Sequence, residues 1–259
     1  MNPITSVFKR LGHKALIAYL TVGYPDIETT LEAVPLLADS GCDLVELGIP
    51  FSDPLADGVT IQNASYKALK NGVTTKLCLK VAEELSKKTS VPLLFMTYFN
   101  PVFNYGIEAF CKDCNSSGIS GLIIPDLIPD EGGPLEIVTQ KNDLDLIYLL
   151  SPSSTDERIR LVAQRSRGFI YLVSVTGVTG ARTGISTELD AFVSRVRAIA
   201  GQPLCVGFGI STPDQAGHVA RLADGVIVGS RILQLIEEDK SLKSVARFVK
   251  ELRNTLDKR

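Results

Sequence analysis

Residues 43 to 58 read Asp43-Leu44-Val45-Glu46-Leu47-Gly48-Ile49-Pro50-Phe51-Ser52-Asp53-Pro54-Leu55-Ala56-Asp57-Gly58. Leu44 to Gly48 form a short apolar run, broken only by Glu46, as expected of a parallel strand covered on both faces. Glycine and two prolines then break the run into a loop. The same unit, a short apolar run followed by a longer amphipathic one, recurs from end to end. Strands are expected at Ala15 to Thr21, Asp43 to Gly48, Val91 to Thr97, Gly121 to Ile124, Leu144 to Leu150, Gly168 to Val173, Leu204 to Val206 and Gly225 to Val228.

Between and after these runs lie helical stretches at Ile27 to Asp39, Thr74 to Lys88, Ile107 to Ser116, Thr155 to Ser166, Thr187 to Ala200, Pro213 to Leu222, Arg231 to Glu238 and Ser241 to Lys258. A further helix, Met1 to Leu11, precedes the first strand and would plug the barrel floor. Eight strand-helix units imply an α/β fold, a (β/α)8 TIM barrel with an extra N-terminal helix. A doubly wound open sheet is the alternative, but it would want a glycine fingerprint after the first strand, where this chain has Val22-Gly23-Tyr24-Pro25. No linker or charge block divides residues 1–259, so a single domain is expected. Two connections after strands are long, Ile49 to Val73, with room for a short helix, and Ser174 to Ser186. In a barrel such loops border the catalytic face.

A net charge of -2 gives no footprint for nucleic acid or an anionic membrane surface. Met1 to Lys14 is basic and Ala15 to Val22 apolar, superficially like a signal peptide, but the apolar stretch is short and reads as a strand. No apolar run is long enough to span a bilayer. Five irregularly spaced cysteines fit a reducing, cytoplasmic setting, and the lone Cys111-x-x-Cys114 pair reads as packing on a helix face.

The residue types narrow the chemistry. The two histidines, His13 before the first strand and His218 within a helix, should lie away from the mouth, which argues against histidine catalysis or histidine-ligated zinc. No lysine occurs between Asn142 and Asp239, and none elsewhere ends a strand, so a Schiff base lacks its nucleophile. Gly177 to Gly184 is glycine-rich without the P-loop lysine and looks like a lid. No metal site and no cofactor are expected.

Gly207-Phe208-Gly209-Ile210-Ser211 and Val228-Gly229-Ser230 follow the seventh and eighth strands, where backbone N–H groups and a helix N-terminus could hold a phosphate. Glu46 is an acid inside an apolar strand; desolvation should raise its pKa and suit it to proton exchange near neutral pH. Asp53 and Asp57 follow in the loop, and Asp126 sits at the mouth of the fourth strand, where it serves either the site or a loop. Tyr19, Tyr98, Phe99, Tyr171 and Phe208 at strand ends suggest a flat apolar slot for a planar ligand group.

The run from Glu46 to Gly58 resembles the signature of the tryptophan synthase alpha subunit family. The likeness continues in order through Thr60-Ile61-Gln62, Tyr98-Phe99-Asn100-Pro101, Ile124-Pro125-Asp126, Tyr171-Leu172-Val173-Ser174, Gly177-Val178-Thr179-Gly180, Gly207 to Ser211 and Gly229-Ser230. It implies cofactor-free retro-aldol cleavage of indole-3-glycerol phosphate to indole and glyceraldehyde 3-phosphate, with a beta subunit as partner in an alpha2beta2 heterotetramer. By motif match Glu46 would protonate indole C3 and then help take the proton from the glycerol hydroxyl, and Asp57 would hydrogen-bond the indole N–H. Gly180, Phe208, Gly209, Gly229 and Ser230 would bind phosphate. Tyr19, Tyr98, Tyr171 and Phe208 match pocket positions, and Asp126 matches a position at the same mouth. Thr179 on the lid would meet Asp57. The loop Pro50 to Asp57 and the segment around Asn100-Pro101 would face the beta subunit. Tyr19 stands where some relatives carry phenylalanine, which adds a hydroxyl beside the indole. A free-standing lyase and a non-catalytic regulatory subunit are the alternatives; complete matches at Glu46 and Asp57 count against the second.

Overall fold

The computed structural model describes residues 2–10, 12–173, 185–207 and 209–258, with residues 185–187 as backbone alone. Its strands are β1 (Ala15–Thr21), β2 (Leu44–Gly48), β3 (Leu93–Met96), β4 (Ile119–Ile123), β5 (Asp145–Ile147), β6 (Leu149–Leu150), β7 (Ile170–Val173), β8 (Leu204–Gly207) and β9 (Gly225–Val228). All pair in parallel, in the order β5-β4-β3-β2-β1-β9-β8-β7-β6. The two ends of that order, β5 and β6, are separated in the chain only by Tyr148, so the sheet closes on itself. The expected fifth strand is present in two halves, one paired to β4 and the other to β7.

Tyr148 explains the interruption. Its backbone N–H donates to Ser166 Oγ at 3.1 Å in place of a strand neighbour. Its hydroxyl donates to Glu136 Oε1 at 2.7 Å, in the helical layer outside the barrel. The ring passes so close to Gly132 that a Cβ there would lie 1.7 Å from the hydroxyl oxygen.

The helices are α1 (Pro3–Arg10), α2 (Ile27–Asp39), α3 (Val59–Lys70), α4 (Thr75–Ser86), α5 (Phe99–Tyr105) and α6 (Ile107–Ser116). They continue as α7 (Pro129–Lys141), α8 (Asp156–Arg165), α9 (Ile185–Arg197), α10 (Pro213–Leu222), α11 (Ser230–Glu238) and α12 (Lys243–Asp257). Asp26, Thr74, Thr155 and Thr212 each accept a first-turn N–H, which fixes where α2, α4, α8 and α10 begin. Two helices go beyond the sequence expectations. α5 makes Phe99 a helix residue and leaves Tyr98 just past β3, and α7 begins directly after Ile128. Among the described residues no helix is long and apolar enough to cross a membrane.

α1 closes the floor, as its place before β1 suggested. Ile4 is fully buried, and it lies so close to Gly121 and Gly168 that a Cβ at either would come within 2.7 and 2.9 Å of its side chain. Asn2 Nδ2 donates to Ser120 O at 2.9 Å and Asp143 O at 2.8 Å, tying the helix to the starts of β4 and β5. On the same side, Arg253 of α12 donates to Asp43 Oδ2 at 3.1 Å and to Lys14 O at 3.0 Å.

Asp145, at the start of β5, is buried, and its Oδ2 has no hydrogen-bond partner. Burial pushes its carboxyl up to about 6, against the opposing influence of Arg167 and Thr5. A folded-state pKa above the unfolded one means stability is lost as pH rises from about 4 through about 6. Asp145→Asn should therefore stabilise the protein above pH 6, by up to about 3 kcal/mol, and give no gain below about pH 4. Urea unfolding at both ends of that range measures the difference.

Candidate active site

Glu46 lies in the middle of β2, in register with Tyr19 on β1 and Leu94 on β3. Register partners in a parallel sheet share a face, and here that face is the barrel lumen. Glu46 is fully buried, and neither carboxyl oxygen has a hydrogen-bond partner. Burial alone pushes the carboxyl up to about 8, so the group is protonated at neutral pH. Its charge is felt by Tyr19, by Tyr171 on β7 and by Cys205 on β8, all enclosed in the same interior.

Two glycines make room for the lumenal tyrosines. A Cβ on Gly48 would sit 2.2 Å from the Tyr19 hydroxyl oxygen, and one on Gly207 would sit 2.3 Å from that of Tyr171. Each ring thus leans across its neighbouring strand toward the C-terminal mouth. The Tyr19 hydroxyl meets Thr21 Oγ1 at 3.2 Å.

Asp57 comes from the loop between β2 and α3. Burial pushes its carboxyl up to about 6, and a hydrogen bond from Tyr98 opposes the rise. Tyr98 is fixed in turn: its hydroxyl accepts the Ala56 N–H at 2.9 Å, and its ring lies 5.3 Å from that of Phe51. Asp57 Oδ1 is buried without a partner. Asp126 is exposed, and its Oδ1 accepts the Phe99 N–H at 2.9 Å, so the contact observed for it is support for the start of α5.

A cavity of about 370 Å3 joins the aromatic wall to the glycine rim. Tyr19, Ile61, Tyr171, Gly209, Gly229 and Ser230 line it. α11 starts at Ser230 with Gly229 before it and no side-chain cap, which leaves its first N–H groups available to an anion. A Cβ on Gly229 would come 3.0 Å from Tyr19 Cδ1, so glycine there lets the rim and the slot meet. The neighbouring α10 is closed differently: Gln215 Oε1 accepts from Ser211 N at 2.8 Å and Thr212 N at 3.2 Å.

Tyr19, Tyr171, Gly209, Gly229 and Ser230 are therefore brought together around one cavity, with Glu46 beside Tyr19 in the lumen and Asp57 and Tyr98 on two adjoining loops. Thr179, Gly180 and Phe208 lie outside the described residues. Met96 and Arg231 also line the cavity and were not singled out from sequence, and Thr60 was quoted there only within a family motif. Met96 could have been found from the inward phase that Leu94 sets on β3. Among the described residues no group of three or more His, Cys, Asp or Glu is arranged to hold a metal. His13 pairs with Asp43 at 3.0 Å on the floor, and His218 with Asp190 at 3.2 Å outside the barrel. Cys111 and Cys114 are buried on α6.

Two carboxyl groups with pKa values raised to different extents at the C-terminal mouth of a parallel barrel are the equipment of an acid–base enzyme. Comparison with known proteins makes this specific. The family model for the tryptophan synthase alpha chain matches residues 6–258. The tryptophan synthase alpha chain of Dehalococcoides mccartyi is 59% identical over 257 residues, covering 99% of this chain and 100% of that one. That of Geobacter sulfurreducens is 44% identical, covering 99% of both. The solved tryptophan synthase subunit alpha of Legionella pneumophila superposes with a TM-score of 0.93 at 35% identity, over 99% of each chain. A chain of tryptophan synthase from M. tuberculosis, in its aminoacrylate-bound form, gives 0.90 at 37% identity, covering 99% of this chain and 100% of that one. The chain belongs to the tryptophan synthase alpha chain family, and it is a lyase.

The fit of Tyr19 over Gly48 is directly testable. Gly48→Ala places a methyl group in the space of the Tyr19 hydroxyl, and overpacking of this kind costs about 1–3 kcal/mol. The expected result is that loss in urea unfolding, relieved only in part in the double variant Gly48→Ala/Tyr19→Phe, because ring atoms Cζ and Cε2 still lie 2.7 and 2.9 Å from the added methyl.

Proposed function

We propose that this chain cleaves indole-3-glycerol phosphate to indole and glyceraldehyde 3-phosphate, as the alpha subunit of a tryptophan synthase in the cytoplasm. The observation that carries the reading is Glu46: a carboxyl held dry and protonated at neutral pH, next to the Tyr19 ring and in the same interior as that of Tyr171. In the proposed reaction Glu46 gives its proton to indole C3, which turns the ring into an electron sink. The bond between C3 and the glycerol chain then breaks as the adjacent hydroxyl loses its proton to the Glu46 carboxylate. Glu46 ends as it began, and the proton count balances.

Asp57 takes the complementary part. With its carboxyl pushed up only to about 6 it is ionised at neutral pH, and it accepts a hydrogen bond from the indole N–H as positive charge develops there. Tyr98 orients it, and Asp126 supports the segment that carries Tyr98. Tyr19, Tyr171 and Phe208 flank the indole. Gly180, Gly209, Gly229 and Ser230, with Phe208, hold the phosphate, and Thr179 closes over Asp57. The uncapped start of α11 supports the phosphate assignment. No step draws on a cofactor or metal.

A beta subunit would dock on the mouth. Leu55 is 93% exposed, and Val59, Phe103 and Ile128 are exposed with it. All four follow β2, β3 or β4, which are neighbours in the sheet. This apolar group extends the two segments expected to face the partner, and it favours the complex over a free-standing lyase.

Three results are expected. Glu46→Gln should keep substrate affinity and lose on the order of 100-fold or more in indole release. Turnover should be bell-shaped in pH. It falls as pH drops through about 6, because Asp57 must be ionised, and as pH rises through about 8, because Glu46 must be protonated. Leu55→Asp should weaken activation by added beta subunit at least tenfold, while indole release by the isolated chain stays close to normal, read by titrating one subunit against the other.

A further inference from the structure

Once Glu46 has given up its proton, its carboxylate stands in a dry site with no hydrogen-bond partner on either oxygen. An ion left in that condition is costly, and a nearby donor would lower the cost. Tyr19 supplies one. It is the register partner of Glu46 across β1 and β2, and its ring runs toward the mouth until the hydroxyl rests on Gly48. Gly48 lies two residues beyond Glu46 on the same face of the same strand, within the arc that the flexible glutamate side chain sweeps. The Tyr19 hydroxyl is also tethered: Thr21 Oγ1 lies 3.2 Å away, and either atom can be the donor. When Thr21 donates, the phenolic hydrogen is left to point elsewhere.

We propose that Tyr19 is a positioning residue for Glu46: with Thr21 donating to the phenol oxygen, the Tyr19 hydroxyl hydrogen-bonds the Glu46 carboxylate between proton donation and proton recovery. The inference rests on the reading of Glu46 as the proton carrier. No proton leaves Tyr19, whose hydroxyl is pushed far above its ordinary range by burial first and then by the charges of Asp57 and Glu46. It remains a donor at every working pH. The other titratable groups bearing on the pair are Asp57 and Tyr98 from the loops after β2 and β3, Tyr171 on β7 and Cys205 on β8. All three of those hydroxyl or thiol groups are held neutral by burial, which leaves Asp57 as the other charge.

The test titrates the carboxyl directly. At neutral pH most of the 29 Asp and Glu side chains are ionised, so the carbonyl stretch of a protonated Glu46 is isolated by infrared difference spectroscopy and assigned by its loss in Glu46→Gln. The value of about 8 follows from burial alone, so with the Tyr19 donor the midpoint of the parent chain is expected below it. Tyr19→Phe, which removes one oxygen and keeps the ring, should raise that midpoint by about one unit, and Thr21→Val should raise it by less. In turnover, Tyr19→Phe should lower kcat about tenfold, leave KM within about twofold, and move the basic limb of the pH profile upward. Coincident titration curves for parent and Tyr19→Phe, or a change confined to KM, would overturn the assignment. Normal turnover in Glu46→Gln would instead remove the reading of Glu46 itself, so the two failures are distinguishable.

Discussion

A carboxyl group enclosed in the lumen without a partner is the constraint to which the mouth of this barrel is fitted. Raising Glu46 from 4.5 to about 8 corresponds to roughly 5 kcal/mol against its ionised form. That penalty persists only while the wall around it stays apolar and dense. Leu44 and Leu94 are fully buried about it, and α1 seals the opposite end with Ile4. The floor thereby serves the chemistry: water admitted from below would solvate the carboxylate and return its pKa toward the ordinary range.

The packing that keeps the site dry also shapes it. Tyr19 and Tyr171 are too large to stand upright in the lumen, and they lie over Gly48 and Gly207 on the adjacent strands. Each tyrosine-glycine pair sets a ring edge at the mouth, beside the gap that both rings line. The gap opens at one side onto Gly209, Gly229 and the start of α11. Glycines at the ends of β2, β8 and β9 thus perform two tasks, making space for rings within the lumen and clearing backbone N–H groups at its rim.

Much of this was legible in the sequence. Eight apolar runs placed the strands to within two or three residues, because residues covered on both faces carry no polar alternation. Glu46 stood out because an acid inside such a run has no ordinary packing role. What the sequence concealed depends on distant partners. α5 contains Pro101 and lacks a side-chain cap of its own; the Asp126 carboxylate, from beyond β4, caps its first N–H. α7 carries Gly132, Gly133 and Pro134, all poor helix formers, and is held by tertiary contacts to Tyr148 and Arg165. The break at Tyr148 follows from a hydrogen bond to Ser166, far along the chain from the strand it interrupts. Asp126 could be read from sequence as a site acid or a loop support, and the contact seen for it, with the Phe99 N–H, is one that no sequence pattern announces. Thr21 drew no notice, since a threonine ending a strand is unremarkable until a phenol is seen against it.

The side chain of Gln215 has one more consequence. By accepting the N–H groups of Ser211 and Thr212 it stoppers the start of α10, while the start of α11 beside it is left open. The pair of adjacent helix ends therefore behaves as a socket with one contact already filled. Of the two starts, the chain occupies one with an amide of its own and leaves the other without any side chain across it.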